Sequence, residues 1–213
     1  VRCREILGLM QKRLSTKIPE NQQYIIELET SLDWMENKIT KEELVEKEEK
    51  ALRCTLNLNK IFLSDEIYLT EMEMSCIRKM IQGLDGKRKR EYIDLLWRFF
   101  EYYEKEYVLS DYIVMYEFVM VRVASELANM GEYGTATGID KKVLKESLKC
   151  NRIWAIGNIL YDILWNEKEQ KALNGLVLEK EKMTERLKQC ILLSHFCKQT
   201  FEVKFYSDKL YQK

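Results

Sequence analysis

Apolar residues recur along most of the chain at spacings of three and four, the period of a helix with one buried face. No segment alternates apolar and polar residues over the length of a strand between turn signals. We therefore predict an all-α fold of about ten helices. The predicted helices cover residues 2–14, 20–37, 41–57, 68–83, 88–107, 110–130, 134–149, 152–166, 178–197 and 200–211. The segment 167–177 is compatible with a loop or with an extension of the helix before it.

Two predicted helix starts carry a reciprocal capping pattern. Thr40 is followed three residues later by Glu43, and Thr70 is followed in the same way by Glu73. The threonine hydroxyl can accept from the amide of the glutamate, whose carboxylate can accept from the threonine amide in return. Pro19 is the only proline, and we expect it at a helix entry, where the missing N–H costs no hydrogen bond.

The charge balance excludes a strongly basic surface for nucleic acid. The chain has 213 residues, with 35 Lys and Arg against 35 Asp and Glu. Its one dense basic run, 86–92, is interpreted as a solvated loop after a turn. No uncharged apolar run reaches the roughly 18 residues of a membrane span, so no membrane partner is expected.

The residues with reactive side chains form no recognisable catalytic or metal motif. Six cysteines are scattered without a C-x-x-C pair, which favours free thiols in a reducing cytoplasm over disulfides. His195 is the only histidine, and Leu192 stands where a Glu-x-x-His metal site would place its carboxylate. Phosphate-loop and nucleophile-elbow patterns are missing from the sequence as well. We therefore expect no catalytic residues, no metal, no cofactor and no enzymatic activity.

A glycine turn between two apolar runs carries the most specific pattern. In "MVRVASELANMGEYGTA" a small residue, Ala124, sits on the first helix, and Ala136 follows the turn Gly131-Glu132-Tyr133. In "RIWAIGNILYDILW" Gly157 occupies the position of Ala124, 33 residues later. This spacing resembles the tetratricopeptide repeat, in which a small residue lies where two helices of a hairpin cross closely. We therefore expect Ala124 and Gly157 at close crossings. The closing proline and the first tryptophan of the repeat are absent.

Over about residues 20–213, the order of these segments resembles the C-terminal part of Rgg/PlcR-type, peptide-responsive transcription regulators. The resemblance implies a single domain over 1–213, with degenerate hairpins in 1–57 and more repeat-like ones in 58–213, stacked as a right-handed α-solenoid. It also implies a cytoplasmic homodimer that senses a short peptide or small ligand. DNA would be bound through a helix-turn-helix domain, which we expect before Val1. A stand-alone protein–protein interaction scaffold is the alternative.

In such arrays the first helices of adjacent hairpins line a ligand groove. Trp154, Asn158, Tyr161 and Trp165 share one stripe of the helix 152–166, here called the aromatic stripe. The ligand-binding residues expected from this register are Trp154, Asn158, Tyr161, Ser125, Asn129 and Arg122. The amide of Asn158 would hold a peptide backbone, and Arg122 would bind a peptide carboxylate. Alternatively, the two tryptophans pack on the C-terminal helices, Asn158 is an ordinary capping or bridging amide, and Arg122 is a solvated or ion-paired surface residue.

Overall fold

The structure, a computed structural model, describes residues 2–64, 67–106 and 112–211, and within these ranges it contains helices and no strand. The all-α prediction is confirmed. The helices are α1 (Arg2–Arg13), α2 (Pro19–Met35), α3 (Lys41–Leu52), α4 (Leu58–Ile61), α5 (Glu71–Gly83), α6 (Gly86–Glu106), α7 (Ile113–Asn129), α8 (Tyr133–Lys149), α9 (Ile156–Leu173), α10 (Lys180–Phe196) and α11 (Thr200–Tyr211).

Two boundaries differ from the sequence prediction in ways that matter. The predicted helix 41–57 ends at Leu52, and the short α4 follows it as a separate helix. The ambiguous segment 167–177 divides, because α9 continues to Leu173 and the remainder forms the turn into α10. The predicted start of the helix 110–130 lies outside the described residues.

The chain divides into two compact units, Val1–Tyr107 and Val108–Lys213. In the first unit α3 packs against both α2 and α5, and α1 packs on α2. Its core includes Leu44 and Leu52 of α3 and Ile77 of α5, all with no exposed surface. The expectation of a single repeat domain stays an expectation, because two compact units can belong to one array.

The helix N-termini predicted from capping residues and from Pro19 are confirmed. Thr40 accepts from the amide of Glu43 at 3.2 Å, and its own amide donates to the Glu43 carboxylate at 2.8 Å. Thr70 and Glu73 repeat the same capping box at the start of α5. Pro19 is the first residue of α2. These caps satisfy amides that would otherwise lack acceptors at the helix ends.

The predicted helix 88–107, which includes most of the basic run 86–92, is confirmed, whereas the interpretation of the run as a solvated loop is wrong. These residues form the first two turns of α6, with Tyr92 buried in the first unit. Arg88 pairs with Glu49 at the end of α3, so part of the basic charge is neutralised within the unit. The error arises because a long cationic side chain can cover apolar surface while its charged end reaches a partner.

In the second unit each helix from α7 to α11 packs on the next one along the chain. A Cβ atom at Gly157 would lie 2.9 Å from the hydroxyl oxygen of Ser194 and 3.5 Å from the carbonyl oxygen of Cys190, both on α10. The predicted close crossing at Gly157 is therefore confirmed. Ala124 is fully buried on α7. The successive hairpins agree with a helical stack, while the right-handed solenoid stays a prediction.

The glycine turn that carries the repeat pattern is a Schellman turn. Gly131 adopts a φ of 84°, its amide donates to Ala128 O at 2.9 Å, and the Glu132 amide donates to Leu127 O at 2.9 Å. These two bonds satisfy carbonyl groups at the end of α7. The same turn ends four other helices at the left-handed residues Asn37, Asn151, Gly175 and Lys198. The unit therefore uses one device to terminate α7, α8, α9 and α10.

Candidate ligand-binding surface

The candidate surface is built on α9, which contacts α7 as well as its chain neighbours α8 and α10. An ion pair fixes α7 to the segment before α9: the Arg152 Nε donates to the Glu117 Oε2 at 2.8 Å. Glu117 is 5% exposed, so this pair is largely shielded from solvent. Removing only the arginine would leave a carboxylate buried beside α7, which is the costly way to break such a pair.

The centre of the aromatic stripe lies against α11. The hydroxyl group of Tyr206 donates to the Oδ1 of Asn158. The ring of Tyr161 packs on the rings of Phe205 and Tyr206, with centroid distances of 5.2 and 5.1 Å. Asn158 is therefore a bridging amide between two helices, as in the alternative drawn from the sequence. The structure gives it a packing role in addition to any role in ligand binding.

The two ends of the aromatic stripe are exposed. The prediction that Trp154 belongs to the helix is wrong, because α9 begins at Ile156 and Trp154 lies in the turn before it. Trp154 is 61% exposed, and its backbone carbonyl accepts from Gln199 Nε2 at 3.0 Å. Trp165 is 41% exposed and lies under the ammonium group of Lys168, 4.7 Å from the ring centroid. Neither tryptophan is buried, and the alternative in which both pack on the C-terminal helices stays open. Exposed tryptophans offer apolar area with a polar N–H, a combination enriched where proteins bind partners.

The predicted residues on α7 occupy different environments. Arg122 is partly exposed, and its Nη1 lies 3.8 Å from the Oε1 of Glu126, one turn further along α7. Ser125 is half-buried, and Asn129 is exposed as the last residue of the helix. Arg122 is also the positive charge that acts on Asp162 of α9. The structure thus brings Arg122 together with α9 but does not join Ser125 or Asn129 to it by a described contact.

Polar residues that the sequence analysis missed lie between α7, α8 and α9. Asp140 of α8 has no exposed surface, and its Oδ2 accepts from the Asn166 Nδ2 at 3.3 Å. Asp162 is partly buried on α9, close enough to act on the ionisation of Asp140. We call Arg122, Glu126, Asp140 and Asp162 the acidic junction. It lies where α9 meets α7 and α8.

Burial makes the two aspartates of the acidic junction weak acids. Burial, and then the neighbouring Asp162 charge, raises the pKa of Asp140 to about 8, against a smaller opposing effect of the Asn166 hydrogen bond. Burial also raises the pKa of Asp162 to about 7, although the Arg122 charge favours the ionised form. A carboxyl group surrounded by too little positive charge retains its proton at neutral pH.

One sequence signal could have identified this junction. Asp140 lies four residues after Ala136 and three before Val143, both of which are completely buried on α8. A carboxylate in the middle of an apolar helical stripe indicates either an internal partner or a ligand. Asp162 offered a weaker signal, because its neighbours Tyr161 and Ile163 belong to two different faces of α9.

No protein-family model, curated protein or solved structure matches this chain. Across residues 2–64, 67–106 and 112–211, no helix combines the length and apolarity that crossing a bilayer requires. In the same part of the chain, no group of three or more His, Cys, Asp or Glu side chains is arranged to hold a metal ion. All six cysteines are free thiols.

Proposed function

We propose that the chain is a non-catalytic binding module that recognises a short peptide along α9, between α7 and α11. The observation that carries the proposal is the position of α9, which meets α7 through the acidic junction and α11 through Asn158 and Tyr161. We call the contact of α9 with α7 and its contact with α11 the seams of α9. Both seams combine polar groups with partly exposed side chains, and an exposed tryptophan lies at each end of the aromatic stripe. Binding sites commonly combine apolar area with a few placed polar groups in this way.

The proposed mechanism is a shift in the packing of three helices. A peptide that contacts α7, α9 and α11 together favours the arrangement in which its contacts are best, and so changes the population of that arrangement. In the full proposal, the shift alters a homodimer interface and repositions a DNA-binding domain, as in the peptide-responsive regulators that the sequence resembles. The dimer, the regulatory role and the cytoplasmic location rest on that resemblance and on the free cysteines.

A protein–protein scaffold is the second candidate, and a separate surface favours it. Leu192 and Phe196 of α10 are 70% and 73% exposed, and Phe201 at the start of α11 is 76% exposed. Large apolar side chains that stay exposed often mark a surface that another protein covers. A scaffold predicts that this surface, and not the seams of α9, determines binding.

The test is a peptide-display selection on the immobilised chain, with the Trp154→Ala variant as the counter-selection. The proposal predicts heptapeptides that are enriched on the wild-type chain and depleted on the variant. Tyr24→Ala removes an aromatic ring that is 38% exposed on α2, and serves as the matched control. Enrichment that is equal on all three proteins would reject the α9 surface. Loss of enrichment in a Phe196→Ala variant alone would favour the scaffold.

A further inference from the structure

Arg122 is the positively charged member of the acidic junction. It lies 3.8 Å from Glu126, and its charge favours the ionised form of Asp162. Among the described residues, no cationic side chain lies within ion-pair distance of Asp162 or Asp140. An anionic ligand group placed here would meet two more carboxyl groups, which argues against Arg122 as the anchor for a peptide carboxylate.

Two buried oxygen atoms in the same place make no hydrogen bond. The Oδ1 of Asp140 and the Oγ1 of Thr137 are buried and have no hydrogen-bond partner. Thr137 is 8% exposed and lies one turn before Asp140 on α8. Buried oxygen atoms without partners are uncommon, because each one loses its bonds to water without replacement.

These oxygen atoms face α9. Asp140 accepts from Asn166 of α9, and a Cβ atom at Gly134, one turn before Thr137, would lie 3.4 Å from the amide nitrogen of Gln170. Residues 134, 137 and 140 therefore follow one stripe of α8 along the seam with α9. Asp162 acts on the ionisation of Asp140 and is only partly buried, so solvent reaches it.

We propose that the acidic junction binds a Lys or Arg side chain of the peptide, with Asp162 as the direct acceptor. An ammonium or guanidinium group brings positive charge and several N–H donors that a carboxylate can accept. The ligand cation favours the ionised form of Asp162, so that any proton on this carboxyl group passes to solvent when the ligand binds. The inference rests on the proposed function, of which it specifies the ligand.

The first experiment tests the junction without a peptide. Side-chain carboxyl carbons of labelled aspartates are followed by NMR against pH, with n-butylammonium chloride, sodium chloride or n-butanol added. The ammonium ion is expected to lower the titration midpoint of Asp162 by about one pH unit or more, while exposed Asp208 stays unchanged. An Asp162 midpoint that moves no further than that of Asp208 overturns the proposal.

The second experiment tests the sign of the ligand charge with acetylated, amidated heptapeptide pools that carry Lys, Met or Glu at the central position. The Lys pool is expected to be retained about tenfold better than the Met pool, and the Glu pool least. The Asp162→Asn variant, checked for folding by circular dichroism, is expected to retain the Lys and Met pools equally.

The outcomes separate this inference from the proposed function. Equal retention of the three pools overturns the cation site and leaves peptide binding intact. The best retention for the Glu pool overturns it in favour of Arg122 as a carboxylate anchor. A midpoint shift with n-butylammonium, but no retention of any pool, supports the cation site and rejects the peptide-binding function.

Discussion

Glu48 gives the first unit an unusual dependence of stability on pH. This residue of α3 has no exposed surface, and its Oε1 lies 3.5 Å from the ammonium nitrogen of Lys79 on α5. Lys79 also pairs with Glu27 of α2, which is 6% exposed, so two carboxylates share one buried cation. Burial raises the pKa of Glu48 from 4.5 to about 7, against the opposing charge of Lys79.

The magnitude and its sign follow from proton linkage. A rise of the pKa from 4.5 to about 7 corresponds to about 3 kcal/mol, since each pH unit is worth about 1.36 kcal/mol. Because the folded-state pKa is the higher one, this stabilisation is fully present below pH 4.5 and is lost as the pH rises through about 7. Glu48→Gln cannot ionise, so it removes this part of the pH dependence.

The assay compares urea unfolding of wild type and Glu48→Gln at several pH values between 5 and 8. The free energy of unfolding of the wild type relative to the variant is expected to fall by about 2–3 kcal/mol over that interval, because part of the change lies below pH 5. Both proteins retain the aspartates of the acidic junction, so the contribution of these aspartates to the pH dependence cancels in the difference. Glu46→Gln, which removes an exposed carboxylate from the same helix, is the matched control and should parallel the wild type. A constant difference between wild type and Glu48→Gln across the interval would refute the assignment.

Three further tests, which use five substitutions, address the second unit. Gly157→Leu would overpack the crossing with α10 and lower the free energy of unfolding by about 1–3 kcal/mol, measured by heat or urea. Gly138 has open space around it, so Gly138→Ala should raise the free energy of unfolding by about 0.5–1 kcal/mol. Equal effects of the two substitutions would place the crossing elsewhere. Arg152→Leu should lower stability by about 3 kcal/mol and be largely rescued by Glu117→Gln, and a double-mutant cycle without coupling would contradict the ion pair. Lys198 has a φ of 58°, a conformation that favours glycine, so Lys198→Gly should stabilise the unit by about 1 kcal/mol and raise its melting temperature. A lower melting temperature would show that the lysine side chain stabilises the turn.

Local and periodic features could be predicted from the sequence because short-range physics determines them. The capping boxes at Thr40 and Thr70 depend on residues three positions apart, and the structure contains both. The close crossing at Gly157 followed from the spacing of small residues along two apolar helices, and the contact with α10 confirms it. The turn at Gly131 was visible because a left-handed residue favours glycine.

Features that depend on distant partners could not be predicted in the same way. Asn151 and Lys198 adopt the left-handed conformation without being glycine, so the turns that end α8 and α10 left no clear signal. The sequence placed Asn158 and Tyr161 on one stripe, but only the packed structure shows that α11 covers them. Asp140 was overlooked because a single carboxylate among many charged residues gains its meaning only from burial.

The most direct test of peptide recognition is a calorimetric titration of one display-selected heptapeptide into the wild-type chain and its Trp154→Ala, Asp162→Asn and Asp94→Asn variants. Trp154 and Asp162 lie on the proposed surface, whereas Asp94 is exposed on α6 in the first unit and is the matched control for loss of a carboxylate. Binding along α9 predicts an affinity about tenfold weaker or worse for Trp154→Ala, a measurable loss for Asp162→Asn, and wild-type affinity for Asp94→Asn. Unchanged affinity in both Trp154→Ala and Asp162→Asn would contradict recognition along α9.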